Sequence, residues 1–512
     1  MYAVLKFLFD ASSADWIRFA CFFAGIFLFI GIAEKTRSAL GWSPEVNRKL
    51  VHIMTGVLIF FAPLFFVSNR PLVWMAVIFI AVNYLGVTTG KLKGMHDTQR
   101  RSYGTVYYPL TFLILVLVFW NGQKSVLILS ILILALADAA AAIVGENLKH
   151  PHEYYLGNDK KSREGSLVMF LTSFFIVFIL LPLVGFLDGH AVNWVTSAWI
   201  GLAAALVATA LEALSSGGSD NLSAPLGAAF VLHFMLTHSV QANEQFTIGL
   251  GVALGVAVLS YRIRILTASG SVGTFLLATL IFGTGGWIWS LPILIFFVLS
   301  SVLSRVGRVH KAQFAPLFEK SSCRDIGQVL ANGTAAGLVM LVYNFFPRPI
   351  FYWLFLGALA AVNADTWATE IGVFSKISPR LITTFQKVTP GTSGGITLLG
   401  TLSALLGSLA IALSGWIASP VHFHISLYGW SFWIVVAGGF LASLVDSLLG
   451  ATLQAQYRCP VCNKITERKI HCQNRKTQFL SGKAWLHNDG VNFLCSLSGI
   501  VFVWIGRMIF SK

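Results

Sequence analysis

The 512-residue sequence has little charge, since Asp, Glu, Lys and Arg make up only 11% of it whereas soluble domains carry about 25%. Its six cysteines are too few and too scattered for a disulfide framework. It also lacks a polar stretch long enough for a sizeable soluble domain. Long apolar runs are abundant instead, and 56% of the residues are hydrophobic. This composition predicts a polytopic integral membrane protein.

Sixteen apolar segments approach or exceed the length of about 20 residues that a bilayer-spanning helix needs. They are Trp16–Ala33, Leu50–Val67, Leu72–Gly90, Thr105–Trp120, Val126–Gly145, Leu167–Leu187, Trp194–Leu214, Leu222–Leu236, Phe246–Ser260, Thr267–Phe282, Trp287–Ser304, Ile326–Phe345, Ile350–Gly372, Ile396–Ala418, Trp430–Leu453 and Val491–Met508. We therefore predict an all-α fold with about 16 transmembrane helices in two bundles. The predicted domains are 1–260 and 261–512, the second with a cysteine-rich loop at 454–490.

Lys and Arg are distributed unevenly among the loops. When alternate loops are counted from the one after the first segment, 29 of the 36 Lys and Arg residues fall on one side, and the other side with both termini holds 7. The positive-inside rule places the basic loops in the cytoplasm and both termini outside. We expect a bacterial inner-membrane protein whose sites face the cytoplasm. The net charge of +15 follows from these loops and does not indicate a nucleic-acid partner.

A carboxylate inside an apolar segment marks the first predicted site. A charge in a membrane span is expensive and by default indicates function. Asp138 is such a residue, and the loop after it carries the phosphate-binding candidates Lys160, Lys161, Arg163, Gly165 and Ser166. A carboxylate can hold Mg²⁺, cations can hold phosphate oxygens, and Gly and Ser allow close approach of backbone N–H groups. The same membrane edge is predicted to hold Arg48, Lys49, Arg101, Glu212 and Asp220. The alternatives are topology anchors for the basic loops and helix-packing carboxylates.

The second half contains a comparable set of residues. Asp365 and Asp446 lie in apolar segments and are candidate Mg²⁺ ligands. The phosphate-binding candidates are Lys320, Arg324, Asn332, Lys387, Gly391, Thr392, Gly394 and Gly395. Asp220 follows Asp138 by 82 residues, and Asp446 follows Asp365 by 81. The halves are therefore either a duplicated scaffold with two similar sites or alike by chance.

The loop at 454–490 contains a candidate metal site. Cys459 and Cys462 form a CxxC, and His471 and Cys472 follow nine to thirteen residues after these two cysteines. Four nitrogen and sulfur ligands at such spacing suit a tetrahedral structural Zn²⁺. The alternative is a set of free thiols in a mobile loop.

Several motifs resemble known families. The pieces NRKLVH, YGTVYYPL, KKSREGS and the Glu212–Asn221 segment resemble the phytol kinase/dolichol kinase family. KKSREGS is also similar to the loop of CTP-dependent lipid cytidylyltransferases, which implies CTP. Two positions depart, because Ala137 stands where the kinase family usually has Gly and Glu146 where it has a basic residue. The second half, with LTASGSVG, RDIGQVLANG, NADTWATEIG, PGTSGG, VDSLLGATLQ and HNDGVN, resembles a long-uncharacterised transmembrane family that includes the plant phytyl-phosphate kinase.

Together the resemblances imply a one-chain salvage enzyme for isoprenoid alcohols. A prenol would be phosphorylated to the monophosphate and then to the diphosphate by a nucleoside triphosphate, with CTP and Mg²⁺ as the expected donor and metal. They imply that Glu212 or Asp220 accepts the alcohol proton in the first site, and that Arg324, Lys320 and Lys387 hold phosphates in the second. The partners would be the prenol, its monophosphate, the nucleotide and the bilayer. The alternatives are a lipid cytidylyltransferase and a transporter of lipid phosphates.

Overall fold

The computed structural model describes residues 10–42, 44–89, 102–157, 159–189, 191–306, 323–419, 423, 427, 429–472 and 474–510. The chain forms two compact units that divide between Asn243 and Glu244. This division lies inside the helix Val240–Arg262, and most of that helix packs with the second unit. Gln245 Nε2 donates to the Phe282 carbonyl at 3.1 Å, and Ser271 Oγ donates to the Ala257 carbonyl at 3.0 Å.

The first unit is built from helices and one β-hairpin. Its helices are α1 (Ser13–Leu40), α2 (Pro44–Phe60), α3 (Ala62–Phe65), α4 (Arg70–Thr89), α5 (Gly104–Phe119), α6 (Lys124–Leu132), α7 (Asp138–Asn147), α8 (Arg163–Val184), α9 (Trp194–Leu214) and α10 (Asp220–Thr237). A π-helical turn, Ile133–Ala137, joins α6 to α7, and a 3₁₀ turn, Gly185–Asp188, follows α8. The antiparallel strands β1 (Glu153–Tyr155) and β2 (Lys160–Ser162) connect α7 to α8.

The second unit has helices and several short strands. Its helices are α11 (Val240–Arg262), α12 (Ala268–Ala278), α13 (Thr284–Val306), α14 (Ile326–Phe345), α15 (Ile350–Gly372), α16 (Leu398–Ala418), α17 (Trp430–Thr452) and α18 (Asn488–Phe510). A π-helical turn, Thr279–Gly283, joins α12 to α13. Its strands are β3 (Arg380–Leu381), β4 (Gly395–Ile396), β5 (Gln456–Arg458), β6 (Ile465–Thr466), β7 (Ile470–His471), β8 (Arg475–Lys476) and β9 (Gln478–Ser481). Strands β3–β4 and β7–β8 form hairpins, and the remaining three form a sheet in the order β6-β5-β9.

Thirteen helices among the described residues are long and apolar enough to cross a membrane. The prediction of a polytopic all-α membrane protein is confirmed, although the predicted number was sixteen. Each predicted segment coincides with a helix. The number falls from sixteen to thirteen because two of these helices are not among the thirteen and two predicted segments lie in a single counted stretch. Gly104–Phe119 is only 16 residues long, Asp220–Thr237 is not among the thirteen, and Ala268–Val306 counts as one 39-residue helix. The last contains a kink at Gly286, whose φ is 59°.

The helices that carry Asp138 and Asp365 lie at the centre of their units. Of the most apolar 18 residues of the candidate span Lys124–Asn147, 78% are buried, and the corresponding share in Ile350–Gly372 is 67%. Every other candidate span among the described residues is at most half buried. A buried carboxylate on a central helix is surrounded by protein on all sides, so other helices and loops must supply its partners.

The two units repeat the same order of elements. A central helix is followed by a β-hairpin and three further helices: α7, β1–β2, α8, α9 and α10 in the first unit, and α15, β3–β4, α16, α17 and α18 in the second. The packing repeats as well. α8 lies against α7 as α16 lies against α15, and α10 lies against α9 as α18 lies against α17.

In the first unit the hairpin ends at a close helix crossing. Ser162 caps α8 because its Oγ accepts a hydrogen bond from the Gly165 N–H at 3.1 Å. A Cβ on Gly165 would lie 3.0 Å from the Ala141 carbonyl oxygen, and a Cβ on Gly145 would lie 2.8 Å from Ser162 Oγ. The two glycines therefore allow α7 and α8 to approach at the level of Ala141.

The second unit repeats this crossing with corresponding atoms. Thr397 caps α16, and its Oγ1 accepts from the Gly400 N–H at 3.0 Å. A Cβ on Gly400 would lie 3.0 Å from the Ala368 carbonyl oxygen, the same distance as its counterpart in the first unit, and a Cβ on Gly372 would lie 3.5 Å from Gly400 Cα. Shared element order, helix packing and crossing geometry favour duplication over chance.

The order of elements changes one pairing made from sequence spacing. Spacing matched Asp220 with Asp446, but Asp446 lies in α17, the counterpart of the helix that carries Glu212. The counterpart of Asp220, at the start of α10, is Asp489 in the first turn of α18. The spacing misled because the cysteine-rich loop separates α17 from α18, whereas residues 215–219 alone join α9 to α10.

Candidate active sites

Asp138 forms a buried ion pair at the start of α7. Its Oδ2 lies 2.5 Å from Nζ of Lys49, and each side chain is only 10% exposed. Lys49 comes from α2, in the NRKLVH motif. Because a buried charge is costly without a partner, each of these side chains requires the other in this arrangement.

Lys161 of β2 joins two further carboxylates. Its Nζ lies 2.5 Å from Glu212 Oε1 and 3.3 Å from Asp220 Oδ2. Burial opposes the charged form of this lysine, but Asp220 and Glu212 outweigh it and raise the pKa of Lys161 above its usual value. Asp138 contributes to the same field. We refer to Asp138, Glu212, Asp220, Lys49 and Lys161 as the first cluster.

The first cluster contains three carboxylates and two ammonium groups. Glu212 Oε2 is buried and has no hydrogen-bond partner among the described residues. A surplus of carboxylates with a buried unpartnered oxygen is the donor set that a hard cation such as Mg²⁺ prefers. The residues present therefore fit a divalent metal, with the lysines paired to carboxylates in this structure.

The other residues predicted for this site lie around the cluster rather than in it. Lys160 is exposed and pairs with Glu153 at 2.7 Å, and Arg163 is also exposed. Gly165 serves the helix crossing, and Ser166 Oγ contacts the Tyr154 hydroxyl at 2.5 Å. Arg48 is half-buried and precedes Lys49 in α2, while Arg101 lies outside the described residues.

Asn221 belongs to one of the matching motifs but was assigned no role in this site from the sequence. It follows Asp220 in α10, is buried, and its Oδ1 has no hydrogen-bond partner among the described residues. Its carbonyl accepts from Thr111 Oγ1 at 2.6 Å, and a Cβ on Gly104 would lie 2.7 Å from its Nδ2. An amide side chain next to a carboxylate at the start of a helix is a pattern from which Asn221 could have been predicted as a site residue.

A polar cavity of about 640 Å³ occupies the corresponding region of the second unit. Its volume is in the range of small-molecule sites. Most of the residues predicted for this site line it, namely Arg324, Asn332, Asp365, Asp446, Gly391, Thr392, Gly394 and Gly395. Tertiary structure thus brings together residues that are up to 122 positions apart.

Asp365 and Asp446 are adjacent in this cavity. Their carboxyl groups are within hydrogen-bond distance of each other, and Asp446 Oδ2 is buried with no hydrogen-bond partner among the described residues. Two carboxyl groups in contact either share a proton or bind a cation between them. The pair fits a divalent metal for the same reason as the first cluster.

Two more acidic residues line the polar cavity. Glu370 accepts a hydrogen bond from Ser304 Oγ at 2.9 Å. Glu467, from the cysteine-rich loop, accepts from Ser393 Oγ and Gln454 Nε2, each at 2.8 Å. Glu467 was not predicted, because nothing in its local sequence points to its partner Ser393, 74 residues earlier in the chain.

Arg324 is the only Lys or Arg among the described residues that line the cavity. Its backbone carbonyl accepts from the Thr267 N–H at 3.0 Å, which fixes it between α12 and α14. Lys387 does not line the cavity, because it lies exposed on the hairpin loop beside Arg380. Lys320 lies outside the described residues.

Comparison with known protein families gives a match to the second half of the chain. The family described as "Integral membrane protein DUF92" matches residues 251–500. Protein PGR of Arabidopsis thaliana is 33% identical over 282 residues, which cover 50% of this chain and 95% of the relative. The chain belongs to the DUF92 family of integral membrane proteins. No solved structure matches it.

This DUF92 protein is also related to phytol kinases. It is 32% identical to "Phytol kinase" of Synechocystis sp. over 194 residues, which cover 38% of this chain and 80% of the relative. It is 28% identical to "Probable phytol kinase, chloroplastic" of Triticum aestivum over 209 residues, which cover 38% of this chain and 67% of the relative. The predicted resemblance to phytol kinases is confirmed.

The cysteine-rich loop of the DUF92 protein brings its four predicted ligands together. The ligand atoms of Cys459, Cys462, His471 and Cys472 all lie within 4.8 Å of one another. The backbone N–H of Cys462 stabilises the thiolate of Cys459 and lowers the pKa of that thiol to about 6. Hydrogen bonding to Cys462 raises the pKa of the Cys472 thiol to about 11.

Proposed function

We propose that this protein phosphorylates an isoprenoid alcohol to the monophosphate in the first unit and the monophosphate to the diphosphate in the second. The proposed donor is a nucleoside triphosphate, with CTP preferred, and the proposed metal is Mg²⁺. One observation carries the proposal: the most enclosed candidate span of each unit bears a carboxylate that interacts electrostatically with a second carboxylate from a later helix. Kinship to phytol kinases supports the chemistry.

The first cluster has the groups that phosphoryl transfer to an alcohol requires. Asp138 and Asp220 would hold Mg²⁺, which neutralises charge on the transferred phosphoryl group when it is bound. Lys49 and Lys161, now paired with carboxylates, would exchange these partners for phosphate oxygens. Glu212 has a buried oxygen that can accept the hydroxyl proton. The remaining requirement is alignment of donor and acceptor, which the buried surroundings supply.

The polar cavity suits an acceptor that is already anionic. A phosphate acceptor is a better nucleophile than an alcohol and needs no strong base. Asp365 and Asp446 would hold Mg²⁺, and Arg324 would bind the acceptor phosphate as a bidentate donor. The turn at 390–395 includes Gly391 with φ 87° and Gly394 with φ 78°, a conformation that lets backbone N–H groups face an anion.

The proposed orientation follows from the distribution of Lys and Arg. In a bacterial inner membrane, the basic loops would lie on the cytoplasmic side, where the nucleotide is found, and both termini would lie outside. The prenyl tail would enter between helices from the bilayer. Its hydroxyl would then meet the first cluster at the membrane edge.

The direct test is incubation of the purified protein with a prenol, Mg²⁺ and each nucleoside triphosphate, followed by mass spectrometry of the lipid products. We expect monophosphate and diphosphate together with release of nucleoside diphosphate. Release of pyrophosphate with a cytidylylated lipid would show a cytidylyltransferase instead. No change in any prenol would overturn the proposal.

A further inference from the structure

The cysteine-rich loop, 454–490, forms a small folded element between α17 and α18. The three-stranded sheet β6-β5-β9 and the hairpin β7–β8 organise it. It folds back to the end of α17, since the Lys483 N–H donates to the Leu453 carbonyl at 2.8 Å. The two ends of the loop also meet, because the Ala455 N–H donates to the Leu486 carbonyl at 2.9 Å. The four candidate ligands and Glu467 all belong to this element.

The distances among the four ligand atoms fit one metal ion. Zn–S bonds of about 2.3 Å and Zn–N bonds of about 2.0 Å at tetrahedral angles place sulfur and nitrogen about 3.5 Å apart. His471 Nδ1 lies 3.6 Å from Cys462 Sγ and 3.2 Å from Cys472 Sγ. Cys459 is fully buried, and all six cysteines of the chain are free.

Two tight turns present the ligands. In the first, the Asn463 N–H donates to the Cys459 carbonyl at 2.9 Å, and Asn463 has φ 56°. In the second, the Arg475 N–H donates to the Cys472 carbonyl at 3.1 Å, and Cys472 has φ 24°. A left-handed backbone conformation at a non-glycine residue costs energy. Here the two left-handed residues form the turns that bring the pair Cys459 and Cys462 close to the pair His471 and Cys472.

The donor set decides both the kind of metal and its role. Three thiolates and one imidazole favour Zn²⁺ over the oxygen-preferring Mg²⁺. Four protein ligands leave no position open for substrate, which is typical of a structural site. A thiol set that served redox chemistry would instead need an accessible cysteine, whereas Cys459 is fully buried.

We propose that Zn²⁺ bound by Cys459, Cys462, His471 and Cys472 folds this loop and thereby fixes Glu467 in the wall of the polar cavity. Glu467 stands between the two ligand pairs, five residues after Cys462 and four before His471. Its carboxylate holds the Ser393 hydroxyl in the glycine turn. Glu467 is thus a positioning residue, and this part of the proposal rests on the proposed function of the second unit.

The metal is tested by elemental analysis of the full chain purified without chelator. We expect about one Zn²⁺ per chain, and tetrahedral thiolate absorption after Co²⁺ substitution. Cys459→Ser and Cys472→Ser should lose most of the Zn²⁺, whereas Cys21→Ser, outside the loop, should retain it. Absence of both Zn²⁺ and the Co²⁺ spectrum from the unaltered protein would overturn the metal site.

The structural role is tested by hydrogen exchange, which does not depend on activity. Chelation of Zn²⁺ should remove protection from residues 456–481 while α8 and α15 keep theirs. If the cysteine variants fail to fold, this chelation experiment on the unaltered protein still decides. Unchanged protection after the metal is removed would refute a folding role.

Glu467→Gln separates the metal from the chemistry. It should keep its Zn²⁺, since the ligands are untouched, and raise KM for the monophosphate or the nucleotide about tenfold through loss of a charged hydrogen bond. Phosphorylation of the alcohol should be unchanged. Normal monophosphate kinetics in this variant would overturn the positioning role, whereas lack of any kinase activity in the unaltered protein would overturn the proposed function and leave the Zn²⁺ result standing.

Discussion

Replacement of Asp138 by Asn should abolish the first step and spare the second. The substitution removes one charge from a pair in which both side chains are 10% exposed, and leaves Lys49 without its counter-ion. Loss of one preorganised electrostatic group typically lowers kcat by about 10²- to 10³-fold, which we expect for phosphorylation of the alcohol. Phosphorylation of added monophosphate should keep its rate.

The same substitution also threatens the fold, and a double variant separates the two effects. Breaking a buried pair by removing one partner costs about 3–5 kcal/mol. Asp138→Asn combined with Lys49→Met removes both charges, so unfolding in detergent should return toward that of the unaltered protein. Activity toward the alcohol should stay lost, because the metal ligand is still missing.

The assay is transfer from labelled CTP to a prenol or to a prenyl monophosphate. Asp365→Asn should give the reciprocal result, with normal monophosphate formation and no diphosphate. Asp10→Asn, which removes an exposed partner of Arg70, is the matched control and should behave like the unaltered protein. Loss of both activities in each single variant would refute two separate sites and indicate one shared site.

Three further predictions concern the helix crossing and the lysines. Gly165→Ala should destabilise the protein by about 1–3 kcal/mol, because its Cβ would lie 3.0 Å from a carbonyl oxygen, whereas Gly251→Ala has open space and should not; thermal unfolding in detergent measures both. Lys161→Met should abolish alcohol phosphorylation, whereas Lys160→Met, which removes an exposed ion pair with Glu153, should retain it in the same labelled assay. The pKa of Lys161 is raised in the folded state, so its contribution to stability is complete below the unfolded pKa near 10.5 and is lost only as the pH rises above that value. Unfolding of the unaltered protein and of Lys161→Met is therefore measured as a function of pH. Loss of stability near neutral pH in the unaltered protein but not in Lys161→Met would contradict this assignment.

The positions of the helices could be predicted because each apolar run must satisfy its own backbone in lipid. This requirement leaves the helix as the only structure for an isolated span, and every predicted segment coincides with one. The number of spans was harder to predict. Gly104–Phe119 is only 16 residues long, and Ala268–Val306 counts as one stretch although the backbone at Gly286, between the two predicted segments, is not helical.

Candidate site residues could be selected from the sequence where a charge interrupts an apolar run. Asp138, Asp365 and Asp446 were selected in this way, since such charges are rarely tolerated without a role. The positions of loop residues were harder to predict. Lys387, a predicted phosphate ligand, lies exposed on its hairpin beside Arg380 and does not line the cavity.

The amino-acid sequence by itself determined a helical membrane protein with acidic residues on two central helices, because hydropathy and the cost of buried charge are local properties. Only the tertiary structure decided which groups those acids meet. Lys49 reaches Asp138 across 89 positions, and Glu467 reaches Ser393 across 74. Such contacts depend on how helices cross and where loops fold back, and the residues on either side do not encode them.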